Sequence, residues 1–302
     1  MTVKLFSFRE YRQMACALQS SQLLQGREFT IARYDNQELH AAVPDAVAGE
    51  HCLILGSIAP PDQQMLSLLL LAHTLKQGGA SQISAILPYL AYARQDKVKA
   101  GESLATAWAG SLLAASGLDR ILTIDAHSER DKKLFPVPLL SLSPAKLFAT
   151  AIDKDGLMDA TIVAADEGAI ARCKAVKEAA HLPCGDVPYF EKKRTAQGVV
   201  HSGLIGEVGS RVIFVDDMLD TGGTLISACR KLVDANVEEI YVFVTHGLFT
   251  GTRWKDLWSL RVKHIFCTDT VQPLRCSTEE KNITVLSAVP LLEEGLSLEG
   301  WV

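Results

Sequence analysis

The chain has no long hydrophobic run and no excess of positive charge. Its longest apolar stretch, residues 65–73, is far shorter than the roughly 20 residues that a membrane-spanning helix needs. The formal net charge of −5 gives no overall basic surface for nucleic acid. We therefore expect neither a membrane protein nor a nucleic-acid-binding protein.

Cysteine is present, but it lacks the spacing of a disulfide framework or a zinc site. The seven cysteines are scattered, odd in number and without a Cys-x-x-Cys pair. This pattern is typical of reduced, buried thiols. The first residues also lack the layout of a signal peptide. Both features predict a cytoplasmic protein.

Short apolar runs alternate with helical patterns over almost the whole chain. With 302 residues, 48% of them hydrophobic, the chain can bury the core of one large or two medium domains. Strands separated by helices predict βαβ units and parallel sheets. The pattern runs twice, which predicts two α/β domains at residues 1–146 and 147–302. In each we expect a mainly parallel sheet flanked by helices.

The most informative segment is residues 212–224. Its apolar part, residues 212–215, predicts a buried strand, and a helical pattern begins at Leu225. The loop between them contains Asp220, Thr221, Gly222, Gly223 and Thr224. A strand, a short glycine-containing loop and a helix place backbone N–H groups around a phosphate, and threonines add hydroxyl donors. The loop therefore predicts a phosphate site, with a capped βα turn as the alternative.

Acids follow two of the predicted strands. Asp216 and Asp217 follow residues 212–215, and Asp166 follows a run at 161–164. Because carboxylates repel phosphate, the pair is suited to sugar hydroxyls or a divalent cation. Asp166 is suited either to these roles or to a plain helix N-cap.

Polar and cationic residues follow three further strands. Arg94, Gln95 and Asp96 come after residues 82–87, at the position where open α/β sheets bind ligands. His127 follows residues 120–125 and is suited to a metal, a phosphate or a simple hydrogen bond. Residues 190–200 predict a mobile loop whose cations either close over a polyphosphate or are solvated.

In this order, the segments resemble the ribose-phosphate pyrophosphokinase family over essentially the whole chain. The most specific pieces are residues 92–97 (Tyr-Ala-Arg-Gln-Asp-Lys), 216–224, 245–249 (Thr-His-Gly-Leu-Phe) and 285–292. Residues 97–102 and the Glu-Lys-x-Arg form of the cationic loop look closer to the archaeal-like branch. The resemblance implies two similar domains of the type I phosphoribosyltransferase-like fold.

The resemblance also implies an activity and a set of residue roles. The family transfers the diphosphoryl group of ATP to the C1 hydroxyl of ribose 5-phosphate, giving phosphoribosyl pyrophosphate and AMP. Ribose 5-phosphate would be bound by Asp216, Asp217, Asp220, Thr221, Gly222, Gly223 and Thr224. ATP would be bound by Tyr34, Asn36, Glu38, Arg94, Gln95 and Asp96. His127 and Asp166 would hold Mg²⁺, and Lys192 and Arg194 would stabilise the transition state. A homo-oligomer, at least a dimer, is expected.

The adenine segment departs from the family pattern Arg-Phe-x-Asp-Gly-Glu. Residues 33–38 read Arg-Tyr-Asp-Asn-Gln-Glu, so Gln37 replaces a glycine and is strained if that position needs a positive φ. This departure favours an alternative, a catalytically weak regulatory paralogue, although the loop cations, His127 and the acids are all present. A phosphoribosyltransferase is a third reading, which leaves the first half of the chain without a role.

Overall fold

The chain divides into two compact units, one formed by Met1–Leu142 with Val289–Val302 and the other by Ser143–Ala288. The computed structural model describes residues 2–21, 23–128, 130–183, 185–195, 198–274, 281–298 and 301, with side chains left out at 21, 192–195 and 198–202. The division falls a few residues before the predicted boundary at 146. The last residues of the chain join the first unit, whereas the sequence interpretation placed them in the second.

The first unit contains a six-stranded sheet and a separate hairpin. The strands of this unit are β1 (Val3–Ser7), β2 (Leu24–Arg27), β3 (Thr30–Arg33), β4 (Leu39–Ala42), β5 (His51–Leu55), β6 (Gln82–Leu87), β7 (Arg120–Ile124) and β8 (Leu139–Leu142). The sheet has the order β2-β1-β5-β6-β7-β8, and every neighbouring pair in it is parallel. The antiparallel pair β3–β4 forms the hairpin. Because the carboxyl ends of parallel strands share one edge, the segments after β6 and β7 lie at the same edge.

Helices connect these strands. They are α1 (Arg12–Leu18), α2 (Gln63–Gln77), α3 (Ala105–Ala115) and the short α4 (Asp131–Leu134). Leu68, Leu71 and Leu75 of α2 are fully buried, which accounts for the leucine-rich stretch in this helix.

The second unit contains a five-stranded parallel sheet and a long hairpin. Its strands are β9 (Thr161–Val163), β10 (Tyr189–Thr195), β11 (Gly198–Ile205), β12 (Arg211–Leu219), β13 (Glu239–Gly247), β14 (Val262–Thr268) and β15 (Ile283–Leu286). Its helices are α5 (Ala145–Lys154), α6 (Ile170–Ala179) and α7 (Gly223–Asp234). The sheet has the order β15-β14-β13-β12-β9, and β10 pairs with β11 in the antiparallel hairpin. Both predicted domains are thus α/β with parallel sheets, which confirms the predicted fold class.

The interior strand β12 is buried on both faces. Val212 and Phe214 pack in one apolar cluster of this unit, whereas Ile213 and Val215 pack in the other. Alternate residues of a strand point to opposite faces, so a strand between two cores needs an unbroken apolar run. The run at 212–215 meets this need. Its burial in both cores holds the strand that carries Asp216 and Asp217.

Two predicted elements have different bounds in the structure. The strand expected at 212–215 continues to Leu219, because its second half pairs with β13 through Met218 and Leu219. The strand expected at 185–189 begins only at Tyr189 and runs to Thr195. Part of the loop expected at 190–200 is therefore strand, since backbone pairing with β11 replaces solvent as the hydrogen-bond partner.

The last helix, α8 (Val289–Ser297), packs on the first unit. A Cβ built on Gly295 would lie 2.6 Å from Cδ1 of Leu142 and 3.2 Å from Cδ1 of Leu122. Leu142 and Leu122 belong to β8 and β7, so α8 packs closely against the sheet of the first unit at Gly295. Among the described residues, none of the helices has both the length and the apolar character of a membrane span.

Leu292 of α8 provides a test of this packing. Leu292 is fully buried, whereas Leu298 is half exposed. We expect Leu292→Ala to lower the free energy of unfolding by about 2–5 kcal/mol through lost burial and a cavity, and Leu298→Ala to change it by less than about 0.5 kcal/mol. Urea denaturation measures the loss. Hydrogen exchange should accelerate in β7 and β8, and acceleration confined to β12 and β13 would contradict the assignment.

Candidate active site

The loop between β12 and α7 forms a backbone cradle at a helix N-terminus. Gly222 is the N-cap of α7, with φ 79° and no side-chain capping bond. Ile226 N–H donates to Gly222 O at 2.8 Å, the first hydrogen bond of the helix. The N–H groups of the first turn precede this bond and have no partner within the helix, so they are available to bind an anion. Thr221 and Thr224 add hydroxyl donors beside them.

Aromatic packing fixes the position of this cradle. A Cβ built on Gly222 would lie 2.9 Å from Cα of Trp254, so no side chain fits there. Trp254 is buried and contacts Phe249 with a ring separation of 4.8 Å. The N–H groups of Leu248 and Phe249 donate to Leu219 O. The segment after β13 therefore holds the loop from behind.

The acids of β12 lie just before the cradle. Asp217 N–H donates to Oδ1 of Asp216 at 2.9 Å, and Nη1 of Arg172 lies 3.7 Å from the same oxygen. Burial raises the pKa of the Asp216 carboxyl well above its usual range, and Asp217 raises it further. Arg172 opposes the rise, and Asp166 adds to it. Among the described side chains, burial and two neighbouring carboxylates thus outweigh the one arginine that favours the charged form of Asp216.

Asp166 lies three residues after the end of β9 and has a capping role. Its Oδ1 accepts a hydrogen bond of 2.9 Å from Gly168 N–H at the start of a 3-10 helix, Glu167–Ala169. The N-cap alternative is thus realised. Asp166 also raises the pKa of the Asp216 carboxyl, so the two carboxylates interact electrostatically. Arg172 was missed by sequence reasoning, because a single arginine inside a helical pattern carries no motif.

The cationic residues Lys192 and Arg194 lie on the hairpin strand β10. Their backbones pair with His201 and Val199 of β11. Their side chains lie outside the described part of the chain. Their roles, and the mobility predicted for residues 190–200, therefore stay predictions.

The segments after β6 and β7 meet at the edge of the first sheet. Oγ of Ser128 donates to Oδ2 of Asp96 at 2.9 Å, which links the two segments. Oε1 of Gln95 accepts from Oγ of Ser103 at 2.9 Å. Arg94 and His127 are both exposed. The structure thus brings Arg94, Gln95, Asp96 and His127 to one edge within this unit.

The backbone of this region is constrained at Tyr92. Tyr92 has φ 65°, its carbonyl accepts from Oγ1 of Thr106 at 3.0 Å, and its hydroxyl donates to Oδ1 of Asp62 at 2.9 Å. A bulky residue in the left-handed region is uncommon and is held by its surroundings. These bonds stabilise the turn that presents Arg94.

The hairpin β3–β4 carries the segment that the family resemblance assigns to adenine, and residue 37 in its turn has a positive φ. Gln37 has φ 72°, and its N–H donates to Tyr34 O at 2.8 Å. Tyr34 N–H also donates to Glu38 O at 2.9 Å, and the three residues enclosed between them end in a left-handed residue, a position that favours glycine. Oδ1 of Asn36 accepts from Glu38 N–H at 3.1 Å. Tyr34 is 58% exposed, with its ring 4.8 Å from that of His40. The exposed face of Tyr34 is therefore open to a base.

Two family models match most of the chain. One, described as the N-terminal domain of ribose phosphate pyrophosphokinase, matches residues 3–117, and the other, described as a phosphoribosyl synthetase-associated domain, matches residues 166–294. The chain is 29% identical to a ribose-phosphate pyrophosphokinase of Cereibacter sphaeroides, over 88% of this chain and 80% of that one. It is 28% identical to one of Hyphomonas neptunium, over 97% and 95%. A crystal structure of phosphoribosylpyrophosphate synthetase from Mycobacterium smegmatis superposes with a TM-score of 0.85 at 25% identity, covering 98% of both chains.

The chain belongs to the ribose-phosphate pyrophosphokinase family. The family resemblance expected from the motifs is therefore confirmed over nearly the whole length. The two units of this pyrophosphokinase-family chain each present polar residues at the carboxyl edge of a parallel sheet, in agreement with the position of ligand sites in such folds.

In this pyrophosphokinase-family chain, Gly222→Ala tests the cradle. The substitution combines a left-handed backbone with the contact to Trp254, and we expect it to lower the free energy of unfolding by roughly 2–4 kcal/mol. Gly251→Ala is the matched control, because Gly251 has φ 68° but nothing within 4 Å of its built Cβ. It should cost about 1–2 kcal/mol. Thermal or urea unfolding of both variants measures the difference, and equal losses would contradict close packing at Gly222.

Asp216→Asn tests the raised pKa of the Asp216 carboxyl. In metal-free buffer, a raised pKa means that the folded state binds a proton which the unfolded chain has released above about pH 4. The stability of the native protein should therefore fall as the pH rises from about 4 towards the raised pKa. Asp216→Asn should show a smaller fall, measured by urea denaturation across that range. Asp256→Asn, at an exposed aspartate, is the control, and superimposable pH profiles for native protein and Asp216→Asn would refute the raised pKa of Asp216.

Proposed function

We propose that the chain transfers the β,γ-diphosphoryl group of ATP to the C1 hydroxyl of ribose 5-phosphate in a Mg²⁺-dependent reaction. The C1 oxygen attacks the β-phosphorus, the bond to the α-phosphate oxygen breaks, and AMP leaves as phosphoribosyl pyrophosphate forms. The observation that carries this proposal is the anion cradle at the start of α7, placed directly after two acids on β12. Family membership supports the reaction type.

On the sugar side, the cradle and the acids divide the substrate between them. The 5-phosphate is bound by the backbone N–H groups and the threonine hydroxyls of the loop, which consists of Asp220, Thr221, Gly222, Gly223 and Thr224. Asp216 and Asp217 accept hydrogen bonds from the ribose hydroxyls. This division follows from charge, because the N-terminus of α7 attracts an anion and the carboxylates repel one.

The donor chemistry of the acids fits Mg²⁺. Within the described ranges there is no group of three or more His, Cys, Asp or Glu side chains that forms a metal cage. Mg²⁺ is commonly held by one or two carboxylates together with substrate phosphates and water. Asp217 and Asp166 both raise the pKa of the buried Asp216 carboxyl, so a divalent ion near Asp166 would offset the repulsion between these acids. If bound, Mg²⁺ would supply positive charge that neutralises phosphate, and His127 would hold the ion carried by ATP.

On the nucleotide side, the hairpin and the edge after β6 bind ATP. Tyr34 stacks on the base, and Asn36 and Glu38 hydrogen-bond it. Arg94, Gln95 and Asp96 bind the sugar and phosphates. Support for these roles comes from the exposed ring of Tyr34 and the exposed guanidinium of Arg94.

Transfer needs stabilisation of charge rather than a covalent nucleophile. Burial raises the pKa of Cys173 to about 12, which makes this cysteine near the acids a poor nucleophile. Lys192 and Arg194 supply the cations that stabilise the migrating diphosphoryl group. Lys193 stands at the x position of the Glu-Lys-x-Arg form of this segment, to which no role is assigned.

A second candidate is a catalytically weak regulatory paralogue. The strained Gln37 and the Asn36 oxygen committed to Glu38 favour it, because both alter the segment proposed to bind adenine. A phosphoribosyltransferase is less favoured, since matches to the pyrophosphokinase family extend over the first unit as well.

The assembly and setting are also proposals. We infer a homo-oligomer of at least two subunits and a cytoplasmic location, which the five described free cysteines support. The closeness to the archaeal-like branch stays a prediction, and the relatives named above are bacterial.

Lys192→Ala tests the activity. Wild-type protein incubated with ATP, Mg²⁺ and ribose 5-phosphate should release AMP, measured by chromatography. We expect Lys192→Ala to lower kcat by about 100-fold or more, the usual scale for a lost transition-state contact, without a change in unfolding temperature. Lys193→Ala is the matched control and should retain most activity.

Two outcomes would contradict the proposal. Wild-type protein that binds ribose 5-phosphate without releasing AMP would favour the regulatory paralogue. Protein that consumes phosphoribosyl pyrophosphate with a free base would favour a phosphoribosyltransferase.

A further inference from the structure

Arg253 is the first residue of the 3-10 helix Arg253–Leu260, and it lies beside the cradle. A Cβ built on Gly223 would lie 3.8 Å from Nη1 of Arg253 and 4.0 Å from Oγ1 of Thr221. The guanidinium and the threonine hydroxyl therefore face the same backbone position, the first residue of α7. Neither the motifs nor the roles proposed above include Arg253.

Packing holds Arg253 at this position. The next residue, Trp254, is buried against Gly222, and its indole N–H donates to Gly251 O at 3.2 Å. Thr250 N–H donates to Asp220 O at 3.1 Å. The backbone that carries Arg253 is thus bonded to the loop that forms the cradle, so the distance between them is set by the fold.

The positive charge of Arg253 and the positive end of the α7 dipole both favour an anion at this position. Cations are unfavourable near a helix N-terminus, where the macrodipole is positive. Arg253 is exposed, and within the described part of the chain it forms no hydrogen bond or ion pair. Asp256, three residues later in the same helix, does not pair with it. A guanidinium placed beside the start of α7 without a protein partner is stabilised when an anion lies between them.

The geometry points to Arg253 as an additional phosphate-binding residue for the 5-phosphate of ribose 5-phosphate. This assignment rests on the proposed function of the cradle. A guanidinium forms two parallel hydrogen bonds with a phosphate, a geometry that a lysine does not reproduce. Arg253 and the N–H groups of the first turn of α7 then bind the phosphate from two sides. The contact is made to a group that does not react, so it serves binding rather than the chemical step.

Calorimetric titration without ATP tests the assignment. Wild type, Arg253→Ala and Arg253→Lys are titrated with ribose 5-phosphate and with ribose. We expect Arg253→Ala to raise the Kd for ribose 5-phosphate about tenfold or more, the scale of a lost charge-assisted hydrogen bond, and to change the affinity for ribose little. The Kd of Arg253→Lys for ribose 5-phosphate should lie between those of wild type and Arg253→Ala. Arg230→Ala is the matched control, because it removes an exposed cation from α7 about 10 Å along the helix from Gly223.

The outcomes separate this assignment from the proposed function. A Kd for Arg253→Ala within twofold of that for Arg230→Ala would overturn the role of Arg253, whether or not wild type releases AMP. Conversely, a wild type that binds ribose 5-phosphate but releases no AMP would overturn the function, and the titrations would still decide on Arg253. In an active enzyme, Arg253→Ala should raise KM for ribose 5-phosphate with kcat nearly unchanged, and a fall in kcat alone would count against a binding role.

Discussion

The structure of the second unit depends on the contact between a helix N-terminus and the aromatic segment behind it. Gly222 adopts a left-handed conformation and leaves no room for a side chain beside Trp254. The same segment bonds to Leu219 and Asp220 through its backbone. Because these contacts are made by buried groups, the first N–H groups of α7 are oriented before any ligand arrives. Preorganised donors of this kind need little rearrangement on binding.

Charge is distributed unevenly around that cradle. Asp216, Asp217 and Asp166 place three carboxyl groups on one side, and burial together with the two neighbouring acids raises the pKa of Asp216. The start of α7 and Arg253 provide positive potential on the other side. A phosphorylated sugar with a divalent cation complements this arrangement, since its anionic and hydroxyl-bearing ends differ in the partners they need. A neutral ligand of the same size would leave both charges uncompensated.

Local sequence predicted the parts whose physical cause is local. The apolar run at 212–215 identified a strand buried on both faces, and the glycine and threonine loop identified the cradle. The motif has a glycine where this chain has Gln37, which predicted strain if that position needs a positive φ, and the structure has that φ. Arg172, Arg253 and the return of α8 to the first unit depend on contacts between distant segments, and no spacing in the sequence encodes them. The hairpin β10–β11 escaped prediction because its cation-rich strand lacks an alternating apolar pattern.

The most direct test of the cradle is an NMR titration of the amide groups. With backbone resonances assigned in 15N-labelled protein, ribose 5-phosphate should shift the N–H signals of Gly223 and Thr224 strongly, and ribose should not. Amide shifts that concentrate at the start of another helix, with those of α7 unchanged, would contradict the account.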